Sequence, residues 1–312
     1  MTADPVHLPV LLEETLATFE AGLGAEPEGL VVDATVGAGG HASALLERFE
    51  GIELLGLDWD PESLREAAVR LERFGARATL DRSPFGDFEA ALERLGGRRP
   101  IALLADLGVC SLHLDRPERG FSFQADGPLD MRMNPDASRT AAEIVNEWSE
   151  EQLANLFFEE GGERRSRRAA AAVVTARRRV PFQRTAALAD VIEQALGPGG
   201  KTHPATRCFQ ALRRAVNDEG PELEAGLAGA ERALLPNGLL CLITFHSGED
   251  GVVKRYLRDA RRAGVFAEME RGAVAPERSE RRRNRRARSA RLRSALRTEG
   301  PARGIQGSEA RP

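Results

Sequence analysis

At 312 residues the chain is longer than one ordinary core requires and suits either one domain with a large insertion or two domains. A net charge of −4 excludes a uniformly basic nucleic-acid coat, although arginines cluster locally and only Lys201 and Lys254 are lysines. No apolar run approaches the ~20 residues of a membrane span, and Met1 to Pro9 lack a secretion signal, so a cytoplasmic protein with no membrane partner is expected.

The spacing predicts an amphipathic helix over Val10 to Phe19, then a loop from Gly22 to Gly29. The stretch that follows organises the rest. Leu30, Val31, Val32 and Asp33 read as a strand ending in a carboxylate, and Gly37, Gly39 and Gly40 follow before His41 and a helix over Ala42 to Phe49. Strand, glycine turn and helix in this order make the first nucleotide-cradling unit of an open α/β sheet, where glycines admit a ligand close to the backbone. Gly37 to Ala42 also fits a loose dinucleotide pattern, a weak signal by itself. Asp33 at the strand tip would repel a pyrophosphate but could accept a hydrogen bond from an ammonium or amide. That favours a ligand without phosphates, such as S-adenosylmethionine.

A second strand, Ile52 to Leu57, ends at Asp58, the position that takes ribose hydroxyls in either cofactor class. Asp60-Pro61 then caps a helix to about Arg73. Ala76 to Asp81 is a third strand, followed by Ser83-Pro84-Phe85, where the Phe85 ring either covers an adenine or belongs to the core. A helix over Phe88 to Leu95 leads to the fourth strand, Pro100 to Leu104, with Asp106 at its tip.

From Leu112 to about Gly200 there is no clear strand. A polar loop gives way to helices starting at Thr140, Ser149, Arg164 and Thr185, which reads as an all-helical insertion. Sheet-type signals return with a helix over Pro221 to Leu235, an apolar strand from Leu239 to Phe245, His246 at its tip, and a helix over Gly251 to Arg262. The expected divisions are residues 1–111 and 214–275 for the sheet domain, 112–213 for the insertion and 276–312 for an arginine-rich tail. Glu277 to Arg293 lacks an apolar stripe and is expected to be disordered alone or folded on a polyanion. Cys110, Cys208 and Cys241 match no zinc or disulfide spacing, so reduced thiols and no metal are expected.

Asp33, Asp58 and Asp106 all sit at carboxyl ends of strands, where open α/β sheets bind ligands. Methyl transfer from a sulfonium needs alignment and exclusion of water more than covalent help. An acceptor for the protons of an amine nucleophile completes the requirement; Asp106 is the first candidate and His246 the second.

Several motifs occur in an order shared with one family: His7 to Leu11, Asp33 to His41, Asp106 to Val109, Glu118 to Phe123, Asp126 to Met133, His203 to Arg207, Phe209 to Arg213 and Phe245 to Ser247. Through them the chain resembles the bacterial 16S ribosomal RNA cytosine-N4 methyltransferases of MraW type over nearly its whole length, including a basic Asn284 to Ser289 segment. The resemblance implies a Rossmann-like class I methyltransferase sheet with a helical insertion and S-adenosylmethionine as donor. The implied acceptor is a cytidine amine in the decoding region of 16S rRNA, with the small ribosomal subunit as partner; a homodimer stays open. It places cofactor contacts on Gly39, Gly40, His41, Asp58, Phe85 and Asp106, and on His113 where the family usually has Gln. Further departures are Cys110 for Ser, Asn134 for Asp, Arg214 for an apolar residue, and Gly220 and Gly248 for Leu. An inactive relative that still binds S-adenosylmethionine or RNA is the alternative, and a dehydrogenase is disfavoured by Asp33.

Overall fold

The computed structural model describes residues 9–200, 202–269, 272–300 and 302, so His7 and Leu8 of the first motif and residues 303–312 of the tail lie outside the described residues. Two compact units are present: Met1–Gly108 with Pro221–Pro312, and Val109–Gly220.

The first unit begins with α1 (Leu12–Leu23), β1 (Gly29–Asp33), α2 (Gly40–Arg48), β2 (Ile52–Leu57), α3 (Pro61–Leu71), β3 (Ala78–Asp81), α4 (Phe88–Arg94) and β4 (Ala102–Asp106). The second unit holds α5 (Ser111–Asp115), α6 (Ala141–Glu147), α7 (Glu150–Glu159), α8 (Ser166–Arg177), α9 (Thr185–Leu196) and α10 (Thr206–Val216). The first unit resumes along α11 (Glu219–Ala233) and continues through β5 (Leu239–Thr244), α12 (Ser247–Arg262), β6 (Phe266–Glu268), α13 (Arg278–Arg283) and β7 (Arg291–Arg297).

The seven strands form one sheet in the order β3-β2-β1-β4-β5-β7-β6. β1 to β5 run parallel and β7 is antiparallel to both its neighbours. Near-continuous apolar runs such as Leu239–Thr244, buried at every position, are what a parallel strand covered on both faces requires. One face carries Phe19, Leu45, Leu46, Phe49 and Leu71 from α1 to α3, and the other carries Phe88, Leu92, Leu227, Leu257 and Phe266.

The tail differs from its expectation. Residues 278–297 form α13, a short 3-10 turn and β7, whose Leu292, Ala295 and Arg297 are buried. The apolar residues are few, so the arginines hide them from a pattern search. Yet Arg293 donates through Nε and Nη2 to Asp250 of α12 at 2.8 and 3.0 Å, and Arg297 donates to the carbonyls of Glu231, Val265, Thr298 and Gly300. Guanidinium groups satisfied in this way can enter a core that free charges could not.

In the helical unit, Thr140 and Ser149 start α6 and α7 with capping boxes. α10 was not among the expected helices, although Cys208, Phe209, Ala211, Leu212 and Val216 share a buried face at helical spacing. The unit's boundaries, 109 and 220, fall outside the expected 112–213. Asn217 accepts the Met133 N–H and donates to the Met131 carbonyl, and Arg213 pairs with Glu219, which fastens the segment after α10 to the same unit. Two motifs prove to be one structure: the Gly120 α-carbon faces the Pro128 carbonyl and Gly127 faces the Pro117 carbonyl, too close in each case for a β-carbon. Met131 N–H donates to the Arg119 carbonyl, and Arg119 donates to the carbonyls of Arg132 and Met133.

Candidate functional site

Parallel pairing of β2, β1 and β4 brings three carboxyl ends side by side, with Asp33 opposite Gly56 on one neighbour and Leu104 on the other. The loops leaving these ends are fixed by hydrogen bonds between them. Asp58 accepts the Gly37 N–H at 3.1 Å and the Asp60 N–H at 2.9 Å, Thr35 N–H donates to Asp33 at 3.2 Å, and Asp106 N–H donates to Thr35 Oγ1 at 2.6 Å. Thr35 was not singled out from the sequence. Its hydroxyl is nonetheless what joins the first loop to the fourth strand.

Gly37 and Gly39 have φ of 51° and 79°, the left-handed region that favours glycine. Gly40 is required for another reason: a β-carbon there would stand 2.5 Å from Pro9. The close approach expected of a ligand at that position is therefore made by the chain itself. Beyond the turn, α2 starts at Gly40, and its first N–H groups have no partner within the helix.

Burial sets the electrostatics. Asp33 is 1% exposed, and desolvation, opposed by the Thr35 N–H and reinforced by Asp58, pushes its carboxyl up to about 7. Desolvation, then Asp33 and Glu249, raise Asp106 well above the ordinary carboxylate range. About a quarter of the Asp106 side chain is reachable, but Oδ1 is buried and has no hydrogen-bond partner among the described residues. His41, 5% exposed, is lowered by desolvation to about 4 and is neutral near pH 7. Its Nε2 lies 3.1 Å from the Val10 carbonyl, which can only accept, so Nε2 carries the hydrogen. The bare Nδ1 faces Asp106 Oδ2 at 3.6 Å.

His246 follows β5 and caps α12, its Nδ1 accepting the Glu249 N–H at 3.3 Å. Its Nε2 lies 2.7 Å from Glu249 Oε1, off the N–H direction. Glu249 is 4% exposed and accepts the Phe245 N–H at 3.1 Å. It is a fourth acid at this edge; the signal in the sequence was an acid three residues after a polar residue that ends a strand, a capping pattern. Phe85 is buried against the Phe88 ring, and a β-carbon on Gly226 of α11 would strike it, so its ring packs as a core residue. His113 lies in the helical unit, buried, stacked on Phe121 at 4.8 Å with Nδ1 3.4 Å from Cys110 Sγ. Gly39, Gly40, His41, Asp58 and Asp106 thus share one edge with His246, while Phe85 and His113 are held by packing.

No helix among the described residues is long and apolar enough to cross a membrane. The model of the MraW methylase family matches residues 4–298. Ribosomal RNA small subunit methyltransferase H of Methylorubrum populi is 44% identical over 319 residues, covering 96% of this chain and 90% of that protein. The proteins of the same name from Heliobacterium mobile and Caulobacter vibrioides are each 44% identical, over 86% and 96% of this chain and 84% and 98% of theirs. Among solved structures, an rRNA methylase from Streptococcus thermophilus aligns at 12% identity with a TM-score of 0.39, covering 96% of this chain and 99% of that one.

Proposed function

The chain belongs to the MraW methylase family, and from that premise we propose that it transfers a methyl group from S-adenosylmethionine to the N4 amine of a cytidine in the decoding region of 16S rRNA. The substrate is the small ribosomal subunit or its RNA, met in the cytoplasm. The observation that carries the reading is the buried acid group at the strand ends, with Asp106 Oδ1 lacking a hydrogen-bond partner among the described residues.

That group fits this cofactor by its chemistry. S-adenosylmethionine supplies an activated methyl carbon and carries sulfonium and ammonium charges, which suit acids that a pyrophosphate would repel. A cation entering beside Asp33 and Asp106 lowers both carboxyls toward their ionised forms. Asp58 at the end of β2, braced by the Gly37 and Asp60 N–H groups, is the acid positioned for ribose hydroxyls. The N–H groups of Gly40 and His41 at the start of α2 are placed for the ligand edge, while that of Gly39 is held by the Val36 carbonyl at 2.8 Å and Gly39 serves through its positive φ. Phe85 and His113 are carried over as cofactor contacts by resemblance to the family alone.

A cytosine amine is a weak nucleophile, because its lone pair is delocalised into the ring. Asp106 Oδ1 accepts an amine proton and tightens its hold as positive charge develops on N4, which stabilises the transition state more than the ground state. His246, oriented by Glu249, lines the cytosine side of the site. The target base must be unpaired or flipped to reach it.

RNA is held by the helical unit. Arg164, Arg167, Arg168, Arg178 and Arg179 at the two ends of α8 are exposed, and no carboxylate among the described residues pairs with them. Arginines in a first turn with no acid oppose the helix dipole, a cost that phosphates would relieve.

The test is single-turnover transfer of labelled methyl to small-subunit rRNA, with mass mapping of the product. Asp106→Asn should lower the rate roughly 10²-fold, the scale of a lost acid–base partner, and leave RNA affinity nearly unchanged. Near-normal transfer by this variant refutes the catalytic role of Asp106, and methylation at another base refutes the target.

A further inference from the structure

The start of α1 is held by a residue from the far end of the chain. Leu11 precedes this helix with φ 59°, a conformation leucine rarely adopts, and it has no side-chain cap. Its N–H donates to Glu280 Oε1 of α13 at 2.9 Å, while its carbonyl accepts the Thr15 N–H and hydroxyl at 2.8 and 2.7 Å. The turn so fixed aims the preceding carbonyl, that of Val10, at His41 Nε2. Val10 and Leu11 are both buried, and the 3-10 turn after α13 packs Ala287 and Ala290 into the same cluster as these two residues and Ala42. One path of contacts therefore runs from Glu280 through Leu11, Val10 and His41 to Asp106.

We propose that Glu280 is a positioning residue for methyl transfer: it holds His41 in the Nε2–H tautomer, so that Nδ1 donates no hydrogen bond to Asp106 and the carboxylate keeps its strength as acceptor of the amine proton at Oδ1. The proposal rests on the role of Asp106 given above. In the transfer, the N–C bond forms as the C–S bond breaks with its electron pair left on sulfur, and the N4 proton passes to Oδ1. Asp106 enters this step as the carboxylate and leaves it neutral, and with Nδ1 bare the proton it has taken can come to rest on Oδ2, directed at the imidazole. If the tether is lost, the ring is free to move its hydrogen to Nδ1 and donate to Asp106, which favours the carboxylate and weakens it as a proton acceptor. The other groups facing Asp106 are Asp33 of β1, Glu249 of α12 and the Cys241 thiol of β5, none of which changes with Glu280. Around Glu280 itself stand Glu14 and Glu277; Glu14 is raised by its burial and then by the charges of Glu280 and Glu277.

The experiment combines two measurements on Glu280→Ala, Glu280→Gln and the parent. In nitrogen-15 spectra of histidine-labelled protein, with only five histidines to assign, the parent should show His41 as the Nε2–H form and Glu280→Ala a mixture. The acid limb of the single-turnover pH–rate profile should move down by about one pH unit in Glu280→Ala, and Glu280→Gln, which keeps an acceptor oxygen, should restore both readouts. A purely structural loss would lower the active fraction without moving the limb. Should Glu280→Ala fail to fold, Glu280→Asp keeps the charge, shortens the reach and should show the same shifts. An unchanged His41 tautomer overturns the tether. A changed tautomer with an unmoved limb supports the tether and overturns the assignment of Asp106 as proton acceptor.

Discussion

Replacing Asp33 with Asn should change how stability depends on pH, in a direction that the burial of this carboxyl dictates. Folding lifts the group from 3.8 to about 7, and the causes in order are desolvation, the opposing Thr35 N–H and the Asp58 charge. A carboxyl whose folded value is raised contributes its stability fully below the unfolded value, and that contribution is lost as pH rises through the folded one. The shift of about 3 units corresponds to about 4 kcal/mol at most, since each unit is worth about 1.4 kcal/mol. About 2–3 kcal/mol of this should be lost between pH 5 and pH 8. Asparagine has the same shape, still offers an oxygen to Thr35 and never ionises. Asp33→Asn should therefore gain on the parent steadily across that window, and it also removes a charge that raises Asp106. Urea unfolding of both proteins at a series of pH values gives the difference directly. Saturating S-adenosylmethionine should stabilise the parent more than the variant at pH 8, because the ammonium then meets a carboxylate. Parallel stability curves from pH 5 to 8 would refute both the buried ionisation and the pairing built on it.

Asp58→Ala should weaken S-adenosylmethionine binding by ~1.5–3 kcal/mol, the range for a lost charge-assisted hydrogen bond, as read by titration calorimetry; unchanged affinity would leave Asp58 a structural brace for the Gly37 and Asp60 loops. Changing Arg164, Arg167 and Arg168 together to Gln should make the slope of log K for RNA against log salt shallower by about 2, near 0.7 per phosphate on a single strand. Cofactor affinity should not move, and an unaltered slope would remove α8 from the RNA surface.

The strand, glycine turn and helix around Asp33 to His41 were legible because each signal is local: an apolar run of period two or a continuous buried run, residues that tolerate positive φ, a cap. The same holds for Asp58 and Asp106, whose positions at strand ends follow from where an apolar run stops. Their grouping at one edge then needed only the rule that parallel strands deliver their carboxyl ends to the same side. β7 was illegible for the opposite reason. Its burial depends on Asp250 and on the carbonyls of Glu231 and Val265 that accept its guanidinium groups, and no pattern within Arg291–Arg297 announces partners more than thirty positions away. α10 was missed although its pattern is regular, since arginines fill its polar face and obscure the apolar one. The purpose of Gly40 was decided by Pro9, and the ring of Phe85 by Gly226. The contact between Glu280 and Leu11 spans 269 positions. Sequence specifies conformation through neighbours along the chain. The protonation of a buried histidine or carboxylate is set by which atoms exclude water from it and which dipoles replace that water, and only the folded chain brings those atoms together.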